Sequence, residues 1–294
     1  MNIVICSRGE RGLSCIDYLI KKKFNLLLVA IQYNEINHLK LKKIRLCKTN
    51  NIQWIITKNI NNQTSAKKIR NINPEFLILA GFNQILKNNL LKIPKITINL
   101  HAGKLPKYRG GSPLNWQIIN NEKKIYLTIL TANKGIDTGE IIYEENFALN
   151  KSMTILEVQK KVIEKFPKML VKVLSSFKFY FERRKKQAFS KSYFKQRKAR
   201  DGEVNFSMPA LLIYNTVRSL TPPDYPGAFI KKNNKKYIIY SSSLFKNKNN
   251  KKYPVGYILK KNKNGIYIST KKGIIVIRKF FMKNKIIEAQ HVNF

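Results

Sequence analysis

Residues 97–113 read TINLHAGKLPKYRGGSP and residues 134–140 read KGIDTGE, and these two stretches decide the prediction of the fold and of the site. The first carries Asn99 and His101, whose side chains share a face if this run is a strand. The second carries Asp137 inside a turn framed by glycines. The 137 − 101 = 36 residues from His101 to Asp137 are enough for a helix and a strand to bring the two stretches together. We therefore predict one catalytic site formed by Asn99, His101 and Asp137.

Continuous apolar runs before and within the first stretch predict strands that are covered on both faces. Residues with helical spacing follow several of these runs, which occupy residues 1–6, 24–31, 75–80 and 95–100. This alternation predicts an α/β fold with a doubly wound, mostly parallel, Rossmann-like sheet. The loop after the first run contains Gly9 and Gly12 but lacks the full G-x-G-x-x-G pattern, so NAD binding is not predicted.

The second half of the chain changes in character. Thr154 and Glu157 fit a capping box ahead of a long helical pattern, which Pro167 is expected to kink or break. Short apolar runs at regular intervals then predict a smaller, mainly-β C-terminal domain, with strands at residues 236–241, 256–260, 265–269 and 273–278.

A basic stretch, residues 183–200, separates the two parts and reads RRKKQAFSKSYFKQRKAR. Interleaved aromatic and basic residues are compatible with phosphate or nucleic-acid contact, but charge runs are usually solvated, and a linker is favoured. We therefore predict a catalytic domain at residues 1–182, a basic linker at 183–202 and a mainly-β domain at 203–294.

The composition is strongly basic, with 57 Lys and Arg against 16 Asp and Glu and a formal net charge of +41. A polyanionic partner and a lysine-rich codon bias both account for this charge, and the sequence does not decide between them. The three cysteines have no metal-type spacing and are interpreted as reduced thiols. Without a signal peptide or an apolar span, the expected location is cytoplasmic, with no membrane partner and no metal.

The two stretches also carry a family resemblance. N-x-H-A-x-x-L-P-x-x-R-G followed by G-x-D-T-G resembles the signature of enzymes that transfer a formyl group from N10-formyltetrahydrofolate to an amine. Residues 218–229, with R-x-L-x-P and Y-P-G-A-F, resemble the C-terminal domain of the same family, which is OB-like in some members. The resemblance implies N10-formyltetrahydrofolate as co-substrate and no metal.

Formyl transfer assigns a role to each of the three site residues. His101 is expected to act as general base, because an imidazole exchanges protons near neutral pH. Asn99 is expected to donate to the developing oxyanion through its amide. Asp137 is expected to orient His101 or to relay the proton.

The same resemblance implies two sets of binding residues. The folate is expected to contact Phe82, Gln84, Ile85, Leu86, Gly103, Lys104, Leu105, Pro106 and Gly135. The acceptor is expected to contact Lys104, Tyr108, Arg109, Gly110, Gly111 and Ser112. The two adjacent glycines would permit close approach of the backbone to a ligand.

The acceptor is the least determined property. The N-terminal loop does not resemble the phosphate loop of glycinamide ribonucleotide formyltransferases. Lys104, Tyr108, Gly111 and Trp116 resemble the nucleotide-sugar N-formyltransferases, and the segment after the second strand lacks the arginine-bearing insertion usual in methionyl-tRNA formyltransferases. We therefore predict a nucleoside-diphosphate-linked amino sugar as acceptor and a possible homodimer by analogy, with initiator methionyl-tRNA as the alternative.

A more remote alternative is a basic nucleic-acid-binding protein that uses its OB-like half. It would need aromatic side chains clustered on one face for base stacking. The candidates are Tyr237, Tyr240, Tyr257 and Tyr267.

Overall fold

The computed structural model describes residues 1–246 and 252–292, which form two compact units. The first unit contains Met1–Gly110, Ile125–Phe147 and Lys160–Tyr193. The second contains Gly111–Lys124, Ala148–Gln159 and the chain from Phe194 onward. The basic linker predicted at residues 183–202 is thus shared between the units, and the domain limits drawn from the sequence stay a prediction.

The N-terminal half alternates strands and helices as expected. The elements are β1 (Ile3–Ser7), α1 (Gly9–Lys21), β2 (Leu26–Gln32), α2 (Asn37–Thr49), β3 (Gln53–Thr57), α3 (Gln63–Ile72), β4 (Phe76–Ala80), α4 (Asn88–Leu91) and β5 (Ile96–His101). They continue with α5 (Pro113–Ile119), β6 (Lys124–Thr131), β7 (Ile141–Ala148), α6 (Ile155–Ser175) and α7 (Phe177–Glu182).

One seven-stranded sheet organises the first unit, in the order β3-β2-β1-β4-β5-β6-β7. The strands from β3 to β5 pair in parallel, and β6 pairs antiparallel to β5. Apolar side chains from β1, β2, β4 and α3 form a buried cluster on one side. The predicted α/β fold with a mostly parallel sheet is confirmed.

Strand β5 positions the site. It lies inside the sheet between β4 and β6, and it ends at His101. Because parallel strands share one carboxyl edge, the loops after β1, β2, β4 and β5 meet there. On the antiparallel side His101 lies directly opposite Thr128 of β6, so these two side chains share a face.

The second unit contains an antiparallel sheet. Its elements are α8 (Ala210–Arg218), β8 (Ala228–Lys232), β9 (Lys235–Phe245), β10 (Ile258–Asn262), β11 (Gly265–Ser269), β12 (Ile274–Met282) and β13 (Lys285–Glu288). The order is β10-β11-β12-β9-β8, with β13 paired to β12, and α8 packs its apolar side chains into the core cluster of this sheet. The mainly-β character is confirmed, although β8 and β13 were not anticipated because lysines break their apolar pattern.

Two local predictions on α6 have different outcomes. Glu157 accepts from the backbone N–H of Thr154 at 2.8 Å and from its hydroxyl at 2.9 Å, so the glutamate half of the capping box is present. The helix does not break at Pro167, because it runs on to Ser175, and the alternative outcome of a kink stays a prediction. Apolar side chains on both sides of the proline, including Phe166 and Leu170, are fully buried and hold the helix in place. Within the described residues, no helix combines the length and apolar character needed to cross a membrane.

The three cysteines are buried free thiols, and we expect them to resist alkylation in the native protein. Burial raises the pKa of Cys6 and Cys15 to about 12 and that of Cys47 to about 11, from an ordinary value of 9.0. Since the thiolate is the reactive form, labelling by iodoacetamide at pH 8 should be slow until guanidinium unfolds the chain. Mass spectrometry would count the labels, and rapid native modification of all three thiols would contradict this burial.

Candidate active site

The structure brings the three predicted catalytic side chains together. Asn99 donates from Nδ2 to Asp137 Oδ1 at 2.9 Å. The Nδ1 atom of His101 lies 3.4 Å from Asp137 Oδ2. The side chains of His101 and Asp137 are only 6% and 10% exposed. An imidazole, an amide and a carboxylate therefore converge at the carboxyl edge of β5.

The second ring nitrogen of His101 is also engaged. Nε2 lies 2.7 Å from the backbone oxygen of Tyr108. Because a carbonyl oxygen only accepts, Nε2 must carry the hydrogen of this bond. The nitrogen that is left to gain or lose a proton is Nδ1, the one that faces Asp137.

Asp137 is held in a demanding backbone conformation. Its φ is +54°, in the left-handed region that non-glycine residues rarely adopt. Its Oδ2 accepts from the backbone N–H of Gly110 at 2.9 Å. At Gly139, a Cβ atom would lie 1.7 Å from Thr131 O, so only glycine fits there. The Asp137 carboxylate thus accepts hydrogen bonds from Asn99 and Gly110, and the turn directs it toward His101.

A second polar row on the same face was not predicted. The Thr128 hydroxyl donates to Gly103 O at 2.8 Å and lies 3.4 Å from the Glu144 carboxylate. Burial raises the pKa of Glu144, against the opposing effects of Thr128 and Lys104. This row fixes the backbone just after His101. Its strand pattern in the sequence carried no sign of the role.

The loop after β4 fits a polar planar ligand. Among the described residues, the backbone N–H groups of Phe82, Ile85 and Leu86 make no hydrogen bond to protein. Ile85 is 59% exposed, whereas Leu86 is buried in the core cluster and Phe82 packs against it. Free donors beside apolar surface suit the edge of a pterin ring, as the resemblance implied.

The side chain of Gln84 and the carbonyl of Ile85 make contacts within the protein, and the contact of both residues with folate stays a prediction. The Gln84 side chain accepts from Ile60 N at 2.8 Å and donates to Lys58 O at 3.1 Å. Asn61 donates to Ile85 O at 2.9 Å. These contacts hold the loop in shape. The backbone N–H groups of Phe82, Ile85 and Leu86 are not used by them and are available to a ligand.

The other residues predicted to contact folate lie on the loop after β5 or in the Asp137 turn. The Lys104 ammonium lies 4.7 Å from the ring centre of Tyr126. Leu105 is buried and precedes Pro106 through a cis peptide bond. Gly135 donates its N–H to the Asn133 side chain at 3.0 Å. Their contact with folate stays a prediction.

The predicted acceptor residues have protein partners in this structure. Tyr108 is 1% exposed, and the guanidinium of Arg109 is bound by Gln187 and by Ser190 O. Gly110 has a φ of +97°, and its backbone N–H donates to the Asp137 carboxylate. These residues therefore shape the site, and their contact with an acceptor stays a prediction.

Gly111 and Ser112 make close contacts within the second unit, and their contact with an acceptor stays a prediction. A Cβ atom at Gly111 would lie 2.5 Å from the Cα atom of Gln196, so close approach of the protein's own backbone explains this glycine. Its N–H donates to Phe194 O at 2.8 Å. The Ser112 hydroxyl accepts from Arg197 N at 3.1 Å.

Glu35 and Lys43 form a buried ion pair that the sequence did not suggest, and Glu35 binds the first N–H group of α1. The carboxylate of Glu35 accepts from Gly9 N at 2.9 Å and from Ile36 N at 3.1 Å, and it also binds the Lys43 ammonium. Both side chains are almost fully buried, and burial lowers the pKa of Lys43 despite its partner. A carboxylate at this helix end would repel a phosphate, which agrees with the absence of a phosphate loop.

The tyrosines proposed for base stacking do not lie on one face. Tyr237 packs against the core cluster of the second unit, whereas Tyr267 belongs to a separate cluster with Ile274 and Val276. The remote alternative of a stacking surface built from these tyrosines is therefore not supported. Among the described residues, no group of His, Cys, Asp or Glu is arranged to hold a metal ion.

Comparison with known proteins agrees with this fold. The profile described as formyl transferase matches residues 32–174, and the profile of the formyl transferase C-terminal domain matches residues 197–293. The methionyl-tRNA formyltransferase of Finegoldia magna is 30% identical over 236 residues, covering 80% of this chain and 75% of that protein. That of Clostridioides difficile is 29% identical over 292 residues, covering 97% and 93%.

A solved structure is also similar in fold. The N-formyltransferase from Helicobacter canadensis, in complex with folinic acid and dTDP-3-aminofucose, matches with a TM-score of 0.66 and 19% identity over 94% of this chain and 98% of that chain. The chain belongs to the formyl transferase family. It is a formyltransferase whose formyl donor is N10-formyltetrahydrofolate.

Proposed function

We propose that this enzyme formylates the amino group of methionine on initiator tRNA. The observation that carries the proposal is the similarity to methionyl-tRNA formyltransferases over nearly the full chain, as with the Clostridioides difficile protein. The net charge of +41 supports it, because a basic protein attracts the phosphates of tRNA at long range. The acceptor expected first, an amino sugar, thereby becomes the second candidate.

One observation favours that second candidate, a nucleoside-diphosphate-linked amino sugar. Only residues 33–36 connect β2 to α2, and this connection contains no arginine. The resemblance at Lys104, Tyr108, Gly111 and Trp116 points the same way. A homodimer and a cytoplasmic location remain predictions under either acceptor.

The catalytic roles that we propose follow from the contacts. The donor, when bound, supplies an electrophilic formyl carbon. Asn99 uses one amide hydrogen on Asp137, and its second hydrogen is free to bind the formyl oxygen as negative charge develops. Such a donor contributes roughly 3 kcal/mol to transition-state stabilisation in comparable sites.

The route of the proton follows from the engagement of both ring nitrogens. Since Tyr108 O holds Nε2 of His101, the proton from the attacking amine would be accepted at Nδ1. Asp137 Oδ2 lies 3.4 Å from Nδ1, so the carboxylate stabilises the ring once Nδ1 has taken up the proton. His101 is therefore the proposed base, and Asp137 is the proposed relay.

A competition between acceptors tests the proposal. Formyl-labelled N10-formyltetrahydrofolate would be offered with initiator methionyl-tRNA, with elongator methionyl-tRNA as control, and with a dTDP-4-amino-4,6-dideoxyhexose. We expect label on the initiator tRNA, with a kcat/KM that falls steeply as salt rises, because tRNA binding releases counterions. Label on the sugar alone would overturn the choice of acceptor and leave formyl transfer intact.

A further inference from the structure

The basic stretch predicted as a linker contains a segment that is bound to the sheet of the first unit. Lys185 and Ile141 exchange two backbone hydrogen bonds of 2.8 Å. Arg184 binds the carboxylate of Glu140, and the hydroxyl of Ser192 donates to Lys107 O. Residues 184–192 therefore follow the edge of the site along a fixed path.

Gln187 lies at the centre of this segment and uses its whole side-chain amide. Its Oε1 accepts from Arg109 Nε at 3.0 Å and from a terminal nitrogen of the same guanidinium at 2.8 Å. Its Nε2 donates to Asp137 O at 2.8 Å and to Gly139 O at 2.7 Å. A carboxamide has two donor hydrogens and two acceptor lone pairs, so these four bonds saturate it.

The groups that Gln187 binds are those that aim Asp137. The turn at Asp137 has a left-handed backbone, and such a conformation persists only where its surroundings hold it. Arg109 precedes Gly110, whose N–H donates to the Asp137 carboxylate. The Gln187 amide thus holds the backbone of the Asp137 turn. It also holds Arg109, the residue before Gly110, whose N–H binds the Asp137 carboxylate.

We propose that Gln187 is a positioning residue for formyl transfer, which holds the Asp137 turn and Arg109 in the geometry that the proton relay needs. This inference rests on the proposed roles of His101 and Asp137. The Gln187 side chain binds the backbone oxygen of Asp137 and not its carboxylate, so it acts on the reaction only through the position of Asp137.

The chemistry of the four bonds explains why glutamine stands there. The guanidinium of Arg109 needs an acceptor, whereas the carbonyl oxygens of Asp137 and Gly139 need donors. A carboxylate would keep the pair with Arg109 but would place negative charge against two carbonyl oxygens. A thioether of the same length would lose all four hydrogen bonds.

Steady-state kinetics of Q187E and Q187M test the proposal, with whichever acceptor the wild-type enzyme formylates. We expect Q187E to lower kcat by about 10- to 100-fold, as small misplacements of catalytic groups do. The KM for N10-formyltetrahydrofolate should change by no more than about 2-fold, because the lost interaction serves the reacting geometry. The matched control is A188S, an exposed neighbour, which should behave as wild type.

A double-mutant cycle with D137N separates positioning from a structural role. If Gln187 acts through Asp137, Q187E should slow single-turnover transfer far less in the D137N background than in wild type. Full activity of Q187E, or losses that simply multiply in the double variant, would overturn this inference alone. Unfolding of both Q187E and Q187M would also contradict it, since the role would then be structural. Absence of transfer by wild type with every acceptor would instead overturn the proposed function.

Discussion

Replacing His101 by asparagine is expected to lower kcat of formyl transfer by about 10²- to 10⁴-fold, the range that general-base catalysis contributes. Asparagine keeps a polar amide near the position of Nδ1 but is too short to replace the bond from Nε2 to Tyr108 O. It cannot accept a proton at neutral pH, so the proton that the amine nitrogen must lose as it bonds to the formyl carbon would have no acceptor at position 101. The measurement is the rate at saturating donor and acceptor.

The control for this variant is H38N, which replaces an exposed histidine on α2 outside the site. H38N should keep the wild-type rate, and the binding of N10-formyltetrahydrofolate to H101N should be unchanged within about 2-fold. An H101N enzyme that retains most of its kcat would remove His101 as the base. Asp137 would then be the only titratable candidate among the three site residues.

Replacing Lys43 by methionine is expected to destabilise the protein by about 3–5 kcal/mol, the usual cost of leaving one partner of a buried ion pair alone. The Lys43 side chain is 0% exposed and that of Glu35 is 2% exposed, so the remaining carboxylate cannot reach water. Urea unfolding would measure the loss. K42M, an exposed neighbour on α2, should change stability little.

The double variant E35Q/K43M tests whether the uncompensated charge is the cause. Gly9 N and Ile36 N donate to different oxygens of Glu35, and the single amide oxygen of glutamine can keep only one of these bonds, so only part of the lost stability should return. If the double variant were as unstable as K43M, lost packing of the lysine stem rather than the buried charge would explain the effect.

Much of the fold was predictable because burial on both faces leaves a simple pattern. Strands such as β1 and β4 are continuous apolar runs, and they bury every residue. Asn99 and His101 were predictable because they alternate at the end of such a run. The break considered at Pro167 does not occur, because tertiary packing around the proline outweighs the loss of one helical hydrogen bond.

The remaining parts of the site had no signal in the sequence. Tyr108 and Gly110 contact the site through backbone atoms, so their residue types do not indicate these contacts. Gln187 is one glutamine in a lysine-rich stretch, and its four bonds depend on the path of residues 184–192. Glu35 and Lys43 look like surface residues until the short connection after β2 turns them inward.

A single-turnover experiment tests the joint action of the three side chains most directly. Wild type, N99A, H101N and D137N would each be saturated with formyl-labelled N10-formyltetrahydrofolate and mixed with the acceptor that wild type uses. We expect all four to bind the donor and each variant to transfer label at least about 100-fold more slowly than wild type. Transfer at the wild-type rate by any of the three variants would contradict a site in which Asn99, His101 and Asp137 act together.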